Sequence, residues 1–367
     1  MDIYVLNGLN GIIGMLETYE SCIWTTQSMG CGNFEIITQA TTENINLLQQ
    51  GRLLVREGDF SGDTYKNVMI IESVKIEFDS ERGWILTVGG RGLKSLVDRR
   101  IVWDQINTDD YQTVADLAYL VVIRNVSRTS EPEGDVRRIE GFKALMPSSS
   151  LADEADIQLF GENIAEWLEQ ICMVYGYSWD VTIKKIENLG PYYVWELWKG
   201  TDRSTEQDEN PPVVFSQEFD NLLSATYSSD RTRFRNAAKI GGEGEGSAQV
   251  VATIGDAKYN LGRREIYIDG AGVSSNAETI SQAKYIKMLQ SYGRSELWGY
   301  TIENTFEGQV EANGTYILGD DYFLGDRVTV DTGLGITAHP IITEIIDSIS
   351  EDGRTTILNF NDWEVQA

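Results

Sequence analysis

The chain has 367 residues, 41% of them hydrophobic and 10% aromatic, and carries 57 acidic against 30 basic side chains, a formal charge of −27. That is apolar material for roughly two to four modules and a composition unlike a disordered chain. The charge argues against nucleic-acid binding, which needs clustered Lys and Arg, and against docking on an anionic membrane.

Residues 1–104 read mainly as β. Val68 to Phe78 alternates, with Val74, Ile76 and Phe78 on one face and Ser73, Lys75 and Glu77 on the other. A polar turn from Asp79 to Gly83 leads to Trp84, Leu86 and Val88, so a hairpin is expected. Helical spacing then enters over 105–212. Val114, Leu117, Ala118 and Val121 share one face; Ile164, Leu168, Ile171 and Tyr175 share another, with Gly176 as its stop. Tyr192 to Trp198 is strand-like, and the polar stretch Gly200 to Pro212 is the best boundary in the chain. β character returns from 213. A helix is expected from Asn276 to Tyr292, with Ser275 and Glu278 at capping-box spacing, Gly293 after its last turn, and Ile280, Ala283, Ile286 and Leu289 as its buried face. Ile341 to Ile346, an acidic turn through Glu351, Asp352 and Gly353, and Ile357 to Phe360 form a final hairpin. Its pattern echoes residues 70–88, which suggests an internal duplication; common hairpin design is the competing account.

Chemistry is hard to find. The single histidine, His339, excludes HExxH and multi-histidine metal sites, and no GxSxG elbow accompanies it; a rim position at a strand start is expected. In GGEGEG (241–246), Glu243 and Glu245 would repel a phosphate, so a turn or close backbone packing is expected. Asp320, Asp321, Asp326 and Asp331 lack the spacing of a calcium loop. Cys22, Cys31 and Cys172 contain no CxxC pair, so free thiols are expected. No apolar run nears the ~20 residues of a membrane span, and the first residues lack the basic start of a signal peptide. No catalytic residue, metal ligand or cofactor site is assigned. Trp24, Trp84, Trp103 and Trp167 sit in patterned segments and are expected in cores.

Several segments in order resemble one family, the tail-tip hub proteins of long-tailed phages of the ReqiPepy6 type, which are similar to the trimeric baseplate hub of contractile tails. The resemblance runs through Trp24, Gly32 and Phe34 (WTTQSMGCGNFEI), Arg91 and Arg100 (GGRGLKSLVDRRI), and GTDRSTEQDENPPVVFSQEF. It continues through Gly241, Gly242 and Glu243 (KIGGEGEGS), Arg264 and Glu265 (GRREIYID), and Gly325 and Asp326 (DDYFLGDRVTV). Residues 105–160 match least. The resemblance implies a β-rich α+β fold with two similar antiparallel β-barrel tube domains, each with an α+β insertion domain. These would be a first barrel at 1–104, an insertion at 105–212, a second barrel at 213–246 and 313–367, and an insertion at 247–312. It also implies a structural, non-enzymatic protein of the virion tail tip, made in the host cytoplasm. Such a protein is a homotrimer that adapts a six-fold ring and tail tube to three-fold fibres, a spike or receptor-binding proteins. It neighbours the tape measure protein and meets genomic DNA only in transit. The competing readings are a receptor- or glycan-binding tail protein and a cell-wall-degrading one; the end at Ala367 is expected to leave no room for a hydrolase domain.

Overall fold

A computed structural model describes residues 2–127, 136–186, 190–255, 260–277, 279–310, 315–335, 337–350 and 353–360. The first segment supplies β1 (Ile3–Leu6), β2 (Ile12–Leu16), β3 (Ser21–Gln27), β4 (Asn33–Gln39), α1 (Thr42–Leu47), β5 (Leu53–Arg56), β6 (Phe60–Ser61), β7 (Thr64–Tyr65), β8 (Met69–Asp79), β9 (Gly83–Gly92) and α2 (Ser95–Asp98). The middle supplies α3 (Val114–Val122), β10 (Phe142–Ala144), α4 (Ile164–Tyr175), β11 (Tyr177–Ile186) and β12 (Gly190–Lys199). After the polar linker come β13 (Val214–Ser216), β14 (Leu222–Asp230), β15 (Ala237–Gly241), β16 (Val251–Gly255), β17 (Glu265–Asp269), α5 (Gln282–Trp298), β18 (Glu303–Val310), β19 (Thr329–Asp331), β20 (Thr337–Ala338), β21 (Ile342–Ser350) and β22 (Gly353–Phe360).

The helices begin where the sequence offers caps. Thr113 and Asp116 form a complete capping box for α3. Asn163 accepts the first amides of α4, which ends at left-handed Gly176. Both expected apolar faces are buried, apart from the half-buried Tyr175. α5 departs from expectation. Its cap is Ser281, which accepts the Lys284 amide, and Asn276 and Ala277 before it have positive φ. Glu278 lies outside the described residues, as does the turn at Glu351 and Asp352. Gly293 does not end the helix: a Cβ there would stand 2.6 Å from Ile240 on the sheet beneath, so it lets α5 lie close. The buried face is Tyr285, Met288, Leu289 and Gly293, and Ala283 is exposed.

The described strands are mainly antiparallel. Eleven lie in one sheet, in the order β14-β18-β22-β21-β3-β4-β9-β8-β5-β1-β2. The others form the sheets β10-β12-β11-β7-β6, β13-β19-β20 and β16-β15-β17. No sheet closes on itself among the described residues. Strands from the two expected barrels instead join edge to edge, β21 pairing antiparallel with β3 from Glu344↔Gln27 to Ser350↔Ser21. Short hairpin β6-β7 pairs with β11, so the first segment also enters the middle sheet.

The large sheet contains one pattern twice. In sheet order, β14-β18-β22-β21 repeats β3-β4-β9-β8, and within each set the strands occur in the same chain order. Both hairpins carry one extra residue at the same place. β8-β9 steps from Ile71↔Gly90 to Ser73↔Gly89, leaving Glu72 over; β21-β22 steps from Ile342↔Phe360 to Glu344↔Asn359, leaving Thr343 over. Following the register across each set puts Phe34 opposite Gly90, Phe306 opposite Phe360, Trp24 opposite Phe34 and Tyr227 opposite Phe306. Trp24 and Tyr227 therefore hold the same place in the two sets. So do Phe34-Glu35 and Phe306-Glu307, which are identical in sequence.

One expectation about the first hairpin fails. Leu86 and Val88 are buried, but Val74, Ile76, Phe78 and Trp84 are 36%, 44%, 64% and 57% exposed. The alternating face continues past the core to a free edge: β5 pairs with β8 only at Met69 and Ile70. Trp103 is also exposed, its ring covered by the Arg137 guanidinium at 4.8 Å.

Candidate functional site

The resemblance-bearing residues occupy joints between elements. Trp24 is buried against Phe34, with ring centroids 5.6 Å apart, and carries the Arg56 guanidinium on its face at 5.1 Å. Gly32 follows, left-handed at φ 66; a Cβ there would stand 2.4 Å from the Thr25 carbonyl oxygen. Arg91 donates to Glu72, the extra residue of the first hairpin, at 2.8 Å and to Asp98 at 2.7 Å. Arg100 donates to the Arg137 carbonyl at 2.6 Å.

Gly325 and Asp326 clasp the polar linker. Asp326 is buried and accepts the Thr201 amide and the Arg203 Nε–H, each at 2.8 Å, and the Phe323 amide at 3.1 Å. Gly200 lies so close that a Cβ would stand 1.8 Å from the Gly325 carbonyl oxygen. The sequence placed a boundary at this linker; the fold ties it down.

The GGEGEG segment packs closely against its neighbours, as expected. A Cβ at Gly241 would meet the Tyr267 hydroxyl at 2.0 Å, and one at Gly242 the Tyr285 hydroxyl at 2.6 Å. Tyr285 donates to the Val273 carbonyl and accepts the Glu243 amide. The Glu243 carboxylate accepts the Ser275 hydroxyl and amide at 2.5 and 2.9 Å. Arg264 and Glu265 lie at the adjoining β17 start. The Arg264 guanidinium donates to the Arg231 carbonyl, and Glu265 pairs with Arg263 at 2.6 Å.

The acidic residues near 320–331 do not converge. Asp321 accepts the Ile317 amide and Asp331 the Gly333 amide, while Asp326 serves the linker. Among the described residues no group of three His, Cys, Asp or Glu side chains could hold a metal ion. His339 follows β20; its ring is tucked in, Nδ1 3.0 Å from the Thr329 hydroxyl and Nε2 3.6 Å from Glu206. The three cysteines are free, and burial pushes the Cys22 thiol up to about 12 and Cys31 up to about 11.

The residues that matter most for the β21–β3 joint were not singled out from the sequence. Asp347 on β21 is buried and accepts Arg56 Nη1 at 2.7 Å, Arg354 Nη2 at 3.0 Å and the Thr356 hydroxyl at 2.8 Å. Arg56 also donates to Asp59 at 2.6 Å. Burial alone would raise the Asp347 pKa, but Arg56, Arg354 and the Thr356 hydroxyl together hold it below the ordinary carboxylate value. A cleft of about 980 Å³ opens beside this network, between the first segment, the β11-β12 hairpin and the chain around Phe323. Its buried Lys94 donates to the Gln27 carbonyl at 2.6 Å and lies over the Trp179 ring, and Lys184 pairs with Glu196. The Lys94 ammonium over Trp179 joins the first segment to the β11-β12 hairpin across this cleft.

One protein family matches residues 2–360, the Siphovirus ReqiPepy6 Gp37-like proteins. The chain belongs to this siphovirus tail protein family. Its fold is shared by solved tail proteins at low identity. The 43 kDa tail protein of prophage MuSo2 from Shewanella oneidensis is 16% identical, with a TM-score of 0.58 and 98% of each chain covered. The tail protein from Neisseria meningitidis MC58 is 16% identical, with a TM-score of 0.57, 98% of this chain and 96% of that one covered. Prophage tail protein gp18 from Listeria monocytogenes EGD-e is 14% identical, with a TM-score of 0.50, 98% and 94% covered. No curated protein matches in sequence. Membership places this family member in the phage tail. No helix among its described residues is long and apolar enough to cross a membrane.

Proposed function

We propose that the chain is the structural hub of the tail tip: a homotrimeric ring that adapts the six-fold tail tube to three-fold fibres or a spike and forms the channel through which DNA leaves. The observation that carries this reading is the doubled set β3-β4-β9-β8 and β14-β18-β22-β21. Two like units per chain in three copies present six like surfaces to a six-fold ring while keeping three-fold symmetry below. Each unit is then a segment of a tube wall completed by the other copies, which supplies the barrel that a single chain leaves open. The middle module and the β15–β17 module with α5 are the insertions decorating that wall.

The acidity suits a conduit. Three chains bring three times the −27 charge, and carboxylates lining a lumen repel phosphate over roughly a Debye length, ~8 Å at physiological salt. Partners in this reading are a distal tail ring, tube and tape measure proteins, and fibres or receptor-binding proteins, with no catalytic step.

Light scattering on the purified protein tests the reading. The expected mass is three times the 41.1 kDa of one chain, with particle images showing a three-fold ring of six lobes. A compact monomer at every concentration overturns it.

A further inference from the structure

We infer that the cluster formed by Arg231, Arg233 and Arg264 is a docking surface for an acidic segment of another tail protein. This asks only that the chain works in a tail and does not depend on the ring. The chain has a formal charge of −27, yet five of its 30 basic side chains, Arg231, Arg233, Arg235, Arg263 and Arg264, fall in two short loops. One loop follows β14 and the other precedes β17. The fold brings them together. The Asn236 amide donates to the Arg264 carbonyl at 3.0 Å, and the Asn236 side chain accepts the Arg264 amide at 2.9 Å. The Arg264 guanidinium reaches the Arg231 carbonyl.

The charge of the cluster is not balanced locally. Asp230, next to it in sequence, turns its carboxylate to the Thr232 amide at 2.7 Å. Glu265 is taken by Arg263 at 2.6 Å. Among the described residues Arg231, Arg233, Arg235 and Arg264 make no ion pair. Arg235 serves its own loop, donating to the Arg233 and Phe234 carbonyls at 3.1 and 2.8 Å. The other three side chains are exposed. The Arg233 guanidinium lies 5.7 Å from the centre of the Tyr300 ring, and that of Arg264 lies 5.9 Å from the centre of Phe234. A guanidinium steadied by a ring keeps N–H groups at its edge for an oxyanion and has less freedom to lose in binding it. Like charges held close also repel one another until an anion joins them.

Guanidinium edges match carboxylate and phosphate alike. The surroundings decide for carboxylate. Duplex DNA carries a charge every ~1.7 Å of its axis and would extend beyond three arginines over a chain with 57 acidic side chains. The attraction of the cluster reaches only about a Debye length, ~8 Å at physiological salt. A protein segment instead offers a few carboxylates interrupted by apolar residues. Leu261 at the rim is 98% exposed, and the Gly262 carbonyl after it accepts the Asn236 side chain at 2.8 Å. Arginines beside aromatic rings are enriched where proteins meet proteins. The sequence singled out Arg264; the fold adds Arg231 and Arg233 to it.

Photo-crosslinking in assembled tails is the test. The photoreactive residue p-benzoylphenylalanine takes the place of Leu261, which leaves every arginine intact. The expected product of irradiation is an adduct between this chain and a different tail protein, joined at a segment rich in Asp and Glu and identified by mass spectrometry. Arg231→Ser with Arg233→Ser in the same background should lower its yield about tenfold or more, the factor carried by one lost charge-assisted hydrogen bond. Each single change keeps the test open where the pair fails to assemble. The same photoreactive residue at Leu334, 86% exposed between β19 and β20, should not give this adduct. Cross-linking to DNA, to a second copy of this chain or to a segment without an excess of carboxylates overturns the assignment. So does an absent adduct, or one whose yield ignores the arginines. None of these outcomes depends on the mass read by light scattering, so the ring and the docking surface stand or fall separately.

Discussion

Asp347→Asn tests how the two halves of the chain are held together. The carboxylate sits on β21, directly across from Trp24 on β3, and three donors converge on it from Arg56, Arg354 and Thr356. Arg56 and Asp347 have side chains only 10% and 3% exposed. Removing one partner of such a buried pair strands the other charge and costs about 3–5 kcal/mol. Arg56 keeps Asp59, so the loss is expected near the low end, about 3 kcal/mol. The amide also turns two hydrogens toward donors that need an acceptor. Denaturant midpoints of the wild type and variant at pH 7 measure the difference. Arg56→Met combined with Asp347→Leu should cost clearly less than the sum of the single changes, because no charge is left buried.

The same site carries a pH signature. The folded-state pKa of Asp347 lies below its ordinary value, which is about 3.9 in an unfolded chain. Its contribution is therefore fully present above about pH 4 and lost as pH falls through the folded-state value. The gap between wild type and Asp347→Asn should hold constant from pH 7 to pH 5 and close below about pH 4. A gap under about 1 kcal/mol at pH 7 would refute the view of a desolvated joint, as would one that does not close in acid.

Leu289→Ala on α5 removes a fully buried side chain over Ile240 and should cost about 2–5 kcal/mol in chemical denaturation; less than ~0.5 would place it at the surface. Gly200→Ala should destabilise by about 2 kcal/mol or more, because its Cβ meets backbone at Gly325, and an unchanged midpoint would show the clasp yields freely. Affinity for duplex DNA at physiological salt should be undetectable in a mobility assay, given the −27 charge. The purified chain should release no muropeptides from peptidoglycan, and release lost on changing one carboxylate would contradict the structural role.

What the sequence made legible was local. Helices α3 and α4 declared themselves through the spacing of their apolar residues, α4 also through its stop glycine, and both hairpins through alternation around an acidic turn. The missed start of α5 has a physical cause. Ser275 and Ser281 both precede apolar residues, and only the positive φ of Asn276 and Ala277 decides which one caps. Its face was misread because a period of three places Ala283 in line, whereas 3.6 selects Tyr285, Met288 and Leu289. The first hairpin was misjudged for a different reason. Alternation reports that a face is apolar, not whether this chain or another one covers it, so Val74, Ile76 and Phe78 read the same as Leu86. Arg56 and Asp347 left no trace, being 291 residues apart in a chain where carboxylates are everywhere.

The strength of the β21–β3 joint follows from how it is held. β21 and β3 belong to one chain, so their meeting costs no translational entropy. A buried charge network can then fix register there, since Asp347 is satisfied only when Arg56 stands beside it. Shifting β21 by one residue would turn that carboxylate to the other face. Arg91 makes the opposite case within the same sheet. It holds Glu72, the extra residue of the first hairpin, and Asp98 with a side chain that is 40% exposed. Arg91→Ala should therefore shift the denaturation midpoint by no more than about 1 kcal/mol, as befits a half-exposed ion pair. A loss as large as that of Asp347→Asn would show that burial is not what separates the two networks.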